Sequence, residues 1–236
     1  DCMSSDENAE GARDRNITLE DVNVLVLGDE SQHFLSLMTS RGRPNRSDYL
    51  GMTRMQQSFL SLQYWVTVAF FAVEEFLLDP FLVSTVTEPF RLVCVTYTDG
   101  DAASLERAGE LLSKFATKKG SGPRSKSKQA TVATAHDEDG LLQVLQAPVF
   151  HPVGPGLLVG VRKEGASSRG SSQARANELS QGFDSKPCVL TAELESLQGV
   201  YEWIFSANSK INPSLSLDKN PDLLSSIGPC KARVTE

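Results

Sequence analysis

Apolar and polar residues alternate along this chain in blocks rather than evenly. Val22–Leu27 is an unbroken, β-branched apolar run closed by Gly28, the pattern of a central parallel strand covered on both faces. Phe34–Thr39 continues as a helix, and Ser40–Arg54 is polar, with Gly, Pro and Asn, as a loop or the start of an insertion. Phe90–Thr96 repeats the strand pattern. Asp101–Lys118 then places Leu105, Ala108, Leu111, Leu112 and Phe115 at three- and four-residue spacings, which predicts an amphipathic helix capped by Asp99 or Asp101. Further on, Leu141–Val161 supplies a short helix and a strand over Gly156–Val161, Cys188–Thr191 a strand, Glu202–Phe205 another, and Asn220–Ile227 a helix.

Strands separated by more than about ten residues and alternating with helices read as parallel βαβ units. The fold class expected is α/β, a Rossmann-like, mainly parallel sheet with helices on both faces. Residues 1–18 are polar and acidic and read as a mobile tail. Residues 19–236 read as a single domain with insertions at about 41–89 and 119–187. Within the second insertion lie a basic linker, Gly120–Gln129, and a Ser/Arg-rich stretch, Ser167–Leu179, mobile at its start.

Length and charge narrow the function. At 236 residues the chain can bury a sizeable core, and a net charge of −7 argues against a generally basic nucleic-acid surface. Cys2, Cys94, Cys188 and Cys230 form no CxxC pair, and His33, His136 and His151 lack metal-ligand spacing, so no metal site is expected. Cys94 and Cys188 fall in apolar runs, where a free thiol packs as a small hydrophobe; this usage favours an intracellular or organellar setting. Ser58–Val83 has an apolar core of about a dozen residues before Glu74-Glu75, short of the ~20 needed to span a bilayer, and reads as buried protein. The chain opens at Asp1, as one with a removed organellar presequence would, among other histories.

Ligands of such sheets sit at the carboxyl ends of the strands. After Gly28 the sequence is Asp29-Glu30-Ser31, lacking the second glycine and the lysine of a phosphate loop, and Glu30 would both block and repel pyrophosphate. S-adenosylmethionine, a cation without phosphates, tolerates acids better. Asp99, closing FRLVCVTYTD, is placed either to accept from a ribose or to cap the next helix.

Several of these stretches resemble, in order, the Rossmann-like methyltransferases that include large-subunit rRNA (uracil-N3)-methyltransferases. VLVLGDESQHFLSLMTS (Val24–Ser40) is similar to the family's opening strand and donor loop, with Gly28 and Phe34 matching. RLVCVTYTDG (Arg91–Gly100) resembles its second strand, CVLTAELESL (Cys188–Leu197) a third element with Glu193 at the acidic position, and YEWIFSANSK (Tyr201–Lys210) the strand and loop over the target base. NPDLLSSI resembles the helix that follows. The resemblance implies a donor site at Gly28, Asp29, Glu30, Asp99 and Glu193, and a target-base loop at Ser206, Ala207, Asn208 and Ser209.

The departures imply loss of activity. Glu30 replaces the second loop glycine, Ser206–Ser209 lacks the family's proline, aromatic residue and histidine, and little chain remains for further strands. The expectation is a catalytically degenerate methyltransferase-like protein. It would be a structural or assembly component of a ribosomal ribonucleoprotein, with ribosomal or assembly proteins and rRNA as partners and no membrane. The mitochondrial matrix is the favoured location, the nucleolus or cytoplasm the alternatives. An active S-adenosylmethionine-dependent RNA methyltransferase is the second reading. A small-GTPase-like adaptor without nucleotide is the third, carried by VLVLGD and lacking any NKxD-type guanine motif.

Overall fold

The computed structural model describes residues 17–39, 47–49, 52–61, 63–73, 90–120, 152–163, 171–183 and 185–225. The acidic tail to residue 16, the linker beyond Gly120, the short helix expected from Leu141 and the chain after Ser225 lie outside the described residues.

The chain is α/β, built on a mostly parallel sheet. In chain order the strands are β1 (Thr18–Gly28), β2 (Ser47–Tyr49), β3 (Met52–Leu60), β4 (Tyr64–Val73), β5 (Leu92–Thr98), β6 (Gly156–Val161) and β7 (Cys188–Leu190). The helices are α1 (Ser31–Thr39), α2 (Ala102–Phe115), α3 (Ser171–Ser180), α4 (Leu194–Ser209) and the single turn α5 (Asp222–Ser225). The order across the sheet is β2-β3-β4-β1-β5-β6-β7. β1 runs parallel to both of its neighbours, β4 and β5, while β3 is antiparallel to β4 and to β2. With the three-residue β2 set aside, the strands taken in chain order lie 2-3-1-4-5-6, the second antiparallel. The classic dinucleotide-binding order is 3-2-1-4-5-6.

The region expected as an insertion at about 41–89 therefore holds β2, β3 and β4, including the strand that flanks β1. The β3–β4 hairpin closes without glycine or proline. Ser61 Oγ accepts from the Tyr64 amide at 3.0 Å, and the Ser61 amide donates to Tyr64 O at 2.8 Å, a hydroxyl-stabilised turn. Likewise β6 and α3 lie inside the second expected insertion, and Ser171–Ser180 is helical.

Alternation along β1 divides the core in two. Val22, Val24 and Val26 face Phe34, Leu35 and Met38 of α1 and Val200, Tyr201, Ile204 and Phe205 of α4. Leu25 and Leu27 face the other layer, with Val93 and Val95 of β5 and Leu105, Leu112 and Phe115 of α2.

Glu202–Phe205, expected as a strand, lies within α4. The reason is the wider spacing: Leu197, Val200, Tyr201, Ile204 and Phe205 recur at three and four residues and are buried on one side. That side packs edge-to-face on the sheet, with Phe59 4.9 Å from Tyr201 and 5.3 Å from Phe205 between ring centroids. A short apolar run has no period of its own, and here the flanking residues set the helix.

Candidate functional site at the carboxyl edge of the sheet

The ends of β1, β5 and β6 and the turns that follow them come together at the carboxyl edge of the sheet, the edge at which doubly wound sheets have their ligand crevice. Gly28 has φ +101°, and a Cβ there would fall 2.1 Å from the carbonyl oxygen of Thr96 on β5. Only glycine fits both the left-handed backbone and that close approach. The residue that the phosphate-loop and methyl-donor patterns share is thus required here by strand packing alone.

Glu30 is buried at the mouth of the turn although it is acidic. Its Oε1 accepts from Thr98 Oγ1 at 2.6 Å and lies 2.8 Å from Lys163 Nζ, which reaches in from just past β6. His33 Nδ1 is 3.6 Å from the second oxygen. Burial alone would raise the Glu30 pKa. The hydrogen bonds from Lys163 and Thr98, with the charges of Lys163 and His33, outweigh it and hold the carboxyl below its ordinary 4.5. The same contact raises the Lys163 pKa.

Asp99, just past β5, has a side chain only 5% exposed and also engaged: Arg162 Nε lies 2.8 Å from Oδ2, and Ser172 Oγ at the start of α3 donates to Oδ1 at 3.2 Å. Asp99 does not cap α2. That is done by Asp101, whose Oδ1 accepts from the Ala103 and Ser104 amides. Asp29 pairs with Arg107 of α2 at 2.6 Å. Every acid expected to line a donor site in this crevice is therefore held by a base of the same chain.

The remaining expected site residues are elsewhere. Glu193 is exposed at the N-cap of α4, makes no side-chain capping bond, and follows the edge strand β7. Ser206, Ala207, Asn208 and Ser209 are the last turn of α4 and not a loop, with Ala207 and Asn208 buried. Because α4 returns antiparallel to the strands, its end lies at the opposite edge of the sheet. There Asn212 Nδ2 donates to Glu20 Oε1, near the start of β1, at 3.1 Å. The expected target-base loop and the expected donor loop are on opposite sides of the molecule.

Sequence reasoning missed Thr98, Arg107, Arg162 and Lys163. The available signal was the basic pair Arg162-Lys163 immediately after the buried run Gly156–Val161, the place where a doubly wound sheet meets its ligand. No group of His, Cys, Asp and Glu among the described residues could hold a metal ion. Cys94 and Cys188 are free thiols, and burial pushes the Cys188 pKa up to about 12. No helix among the described residues is long and apolar enough to cross a membrane.

No known protein-family model matches the chain, and no curated protein matches it significantly.

Proposed function

We propose that this protein is a cofactor-free adaptor: an α/β scaffold that acts by holding other macromolecules, its ligand crevice occupied by its own side chains. The observation that carries this reading is the Glu30 carboxylate seated on Lys163 and Thr98. It occupies the turn where a phosphate would need bare backbone amides. A nucleotide would have to displace a buried, doubly held carboxylate and then meet the negative charge of Asp29 and Glu30. S-adenosylmethionine fits no better. Its ribose would need Asp99 free, and Asp99 is committed to Arg162 and Ser172.

The strand order supports the third of the sequence readings over the first. An order of 2-3-1-4-5-6 with the second strand antiparallel is that of small-GTPase domains. At the end of β6, where a GTPase carries its guanine-reading NKxD, the sequence is Val161-Arg162-Lys163-Glu164. The phosphate loop and the guanine motif are thus both absent from a sheet of that order, and their positions contribute the two halves of the Glu30–Lys163 pair. A ribosomal ribonucleoprotein setting, with rRNA and ribosomal proteins as partners and a mitochondrial location, draws its support from the sequence resemblance alone.

Thermal melting in the presence of saturating S-adenosylmethionine, NAD or magnesium-GTP tests the reading, since a ligand bound only by the folded state raises the midpoint. No shift with any of the three is expected. A shift with the methyl donor would restore the methyltransferase reading, and one with magnesium-GTP a working G domain. Gel-shift titration with single-stranded and duplex RNA separates the adaptor from the ribonucleoprotein component: the acidic chain is expected to bind neither at physiological salt.

A further inference from the structure

Side chains from three separate elements converge on one carboxylate. Glu30 ends the turn after β1, and its backbone carbonyl accepts from the Phe34 amide at 2.8 Å, so the residue stands at the head of α1. Its side chain is buried. Thr98 and Val161 are register partners at the ends of β5 and β6, and alternation turns both toward the α1 side of the sheet, with Cys94 and Val159. Lys163, two residues beyond Val161, brings its ammonium to the same oxygen that Thr98 serves. That oxygen lies 2.8 Å from Lys163 Nζ and 2.6 Å from Thr98 Oγ1. His33, in the first turn of α1, stands 3.6 Å from the other oxygen. Lys163 and His33 are both partly exposed, so solvent reaches the rim of this cluster. The Asp29–Arg107 pair nearby is different, since both of its side chains stand largely in water.

From this geometry we infer that Thr98 and Lys163 form a seat for a small carboxylate, with His33 at its rim, and that Glu30 is its internal, autoinhibitory occupant. The inference rests on the adaptor reading, in which this carboxylate closes the ligand edge of the sheet, and adds which chemistry it shuts out. A hydroxyl and an ammonium on one carboxylate oxygen are charge-assisted donors, and both distances fall in the short range of such bonds. A buried carboxylate without donors would be driven to its neutral form; these two hold it as an anion. Nothing in their bonds requires that carboxylate to belong to the chain. What favours Glu30 over a free acid is its tether, which gives it a high effective concentration at the seat. Truncation to alanine removes a CH2–COO group, the size of an acetate ion. It leaves the Thr98 hydroxyl and the Lys163 ammonium facing the space, two donors without their acceptor.

The test uses the whole chain at neutral pH and sodium acetate as the probe, with sodium chloride at matched ionic strength as the reference. Glu30→Ala is expected to melt below the unaltered protein and to gain roughly 3–6 °C in about 0.1 M acetate, as a dissociation constant on the order of 10 mM gives for a chain of this size. The unaltered protein, its seat filled, is expected to shift by less than about 1 °C. Adding Lys163→Ala or Thr98→Val to Glu30→Ala should abolish the gain. Glu30→Gln keeps the side-chain volume, so it should lose stability without recovering it in acetate, which separates an emptied seat from a lost charge. Where Glu30→Ala does not fold in chloride, recovery of its folded circular dichroism signal in acetate reads the same equilibrium. No recovery or gain in acetate would overturn the inference. So would an equal gain in the unaltered protein, in Asp29→Ala or in the double variants. Melting of the unaltered protein with S-adenosylmethionine and magnesium-GTP keeps the two failures apart: a shift there defeats the cofactor-free reading, whereas the acetate series alone judges the seat.

Discussion

Gly28 and Glu30 are two residues apart and do opposite things to the first turn. Gly28 is fixed by geometry, since its positive φ and the 2.1 Å approach of Thr96 O leave no room for a Cβ. Gly28→Ala should therefore lower unfolding stability by about 2–4 kcal/mol in urea titrations, in the range of strained, overpacked sites. A loss below ~1 kcal/mol would mean that β1 and β5 can part without cost. Glu30 is fixed by electrostatics. Its folded pKa lies below the ordinary 4.5, so the stability it adds is complete above that pH and vanishes as pH falls through the lower folded value. Glu30→Gln should accordingly be less stable than the unaltered protein at neutral pH, with the gap closing in acid. Melts across the acid range read this directly, and a gap independent of pH would show that the Lys163 contact carries no net charge effect. The positions of these acids were legible in the sequence, because they follow buried apolar runs. Their partners were not: Lys163 and Arg162 are far along the chain, and no local pattern records which loop folds over which.

At the scale of elements, β1, β5, β6 and α2 were readable because each carries a period, or an unbroken buried run, long enough to decide its type. The α2 cap was left open between Asp99 and Asp101, and the Asp101 bonds to the Ala103 and Ser104 amides settle it. Asp101→Ala should cost about 1 kcal/mol, as the loss of an N-cap does, measured by the same urea titration. The β3–β4 hairpin was hidden because its turn is made by a serine hydroxyl instead of glycine or proline. Glu202–Phe205 was misread because four apolar-rich residues fit either period. The consequence reaches the site: once the segment is helical, Ser206–Ser209 moves from one edge of the sheet to the other, and the expected pairing of a donor loop with a target-base loop dissolves.

The whole molecule has two unlike ends. At the carboxyl edge, acids and bases of the chain neutralise one another in a crevice that other doubly wound proteins reserve for ligands. At the amino edge, among the described residues, Leu19, Leu60 and Trp65 are exposed large apolar side chains. An adaptor derived from a ligand-binding sheet would keep the sheet for rigidity, close the crevice and work from another surface. Calorimetric titration of the folded protein with S-adenosylmethionine and with magnesium-GTP addresses the closed crevice most directly. The account predicts no saturable heat with either ligand at millimolar concentration. Saturable binding in the micromolar range, abolished by Asp99→Ala for the methyl donor or by Lys163→Ala for the nucleotide, would contradict it.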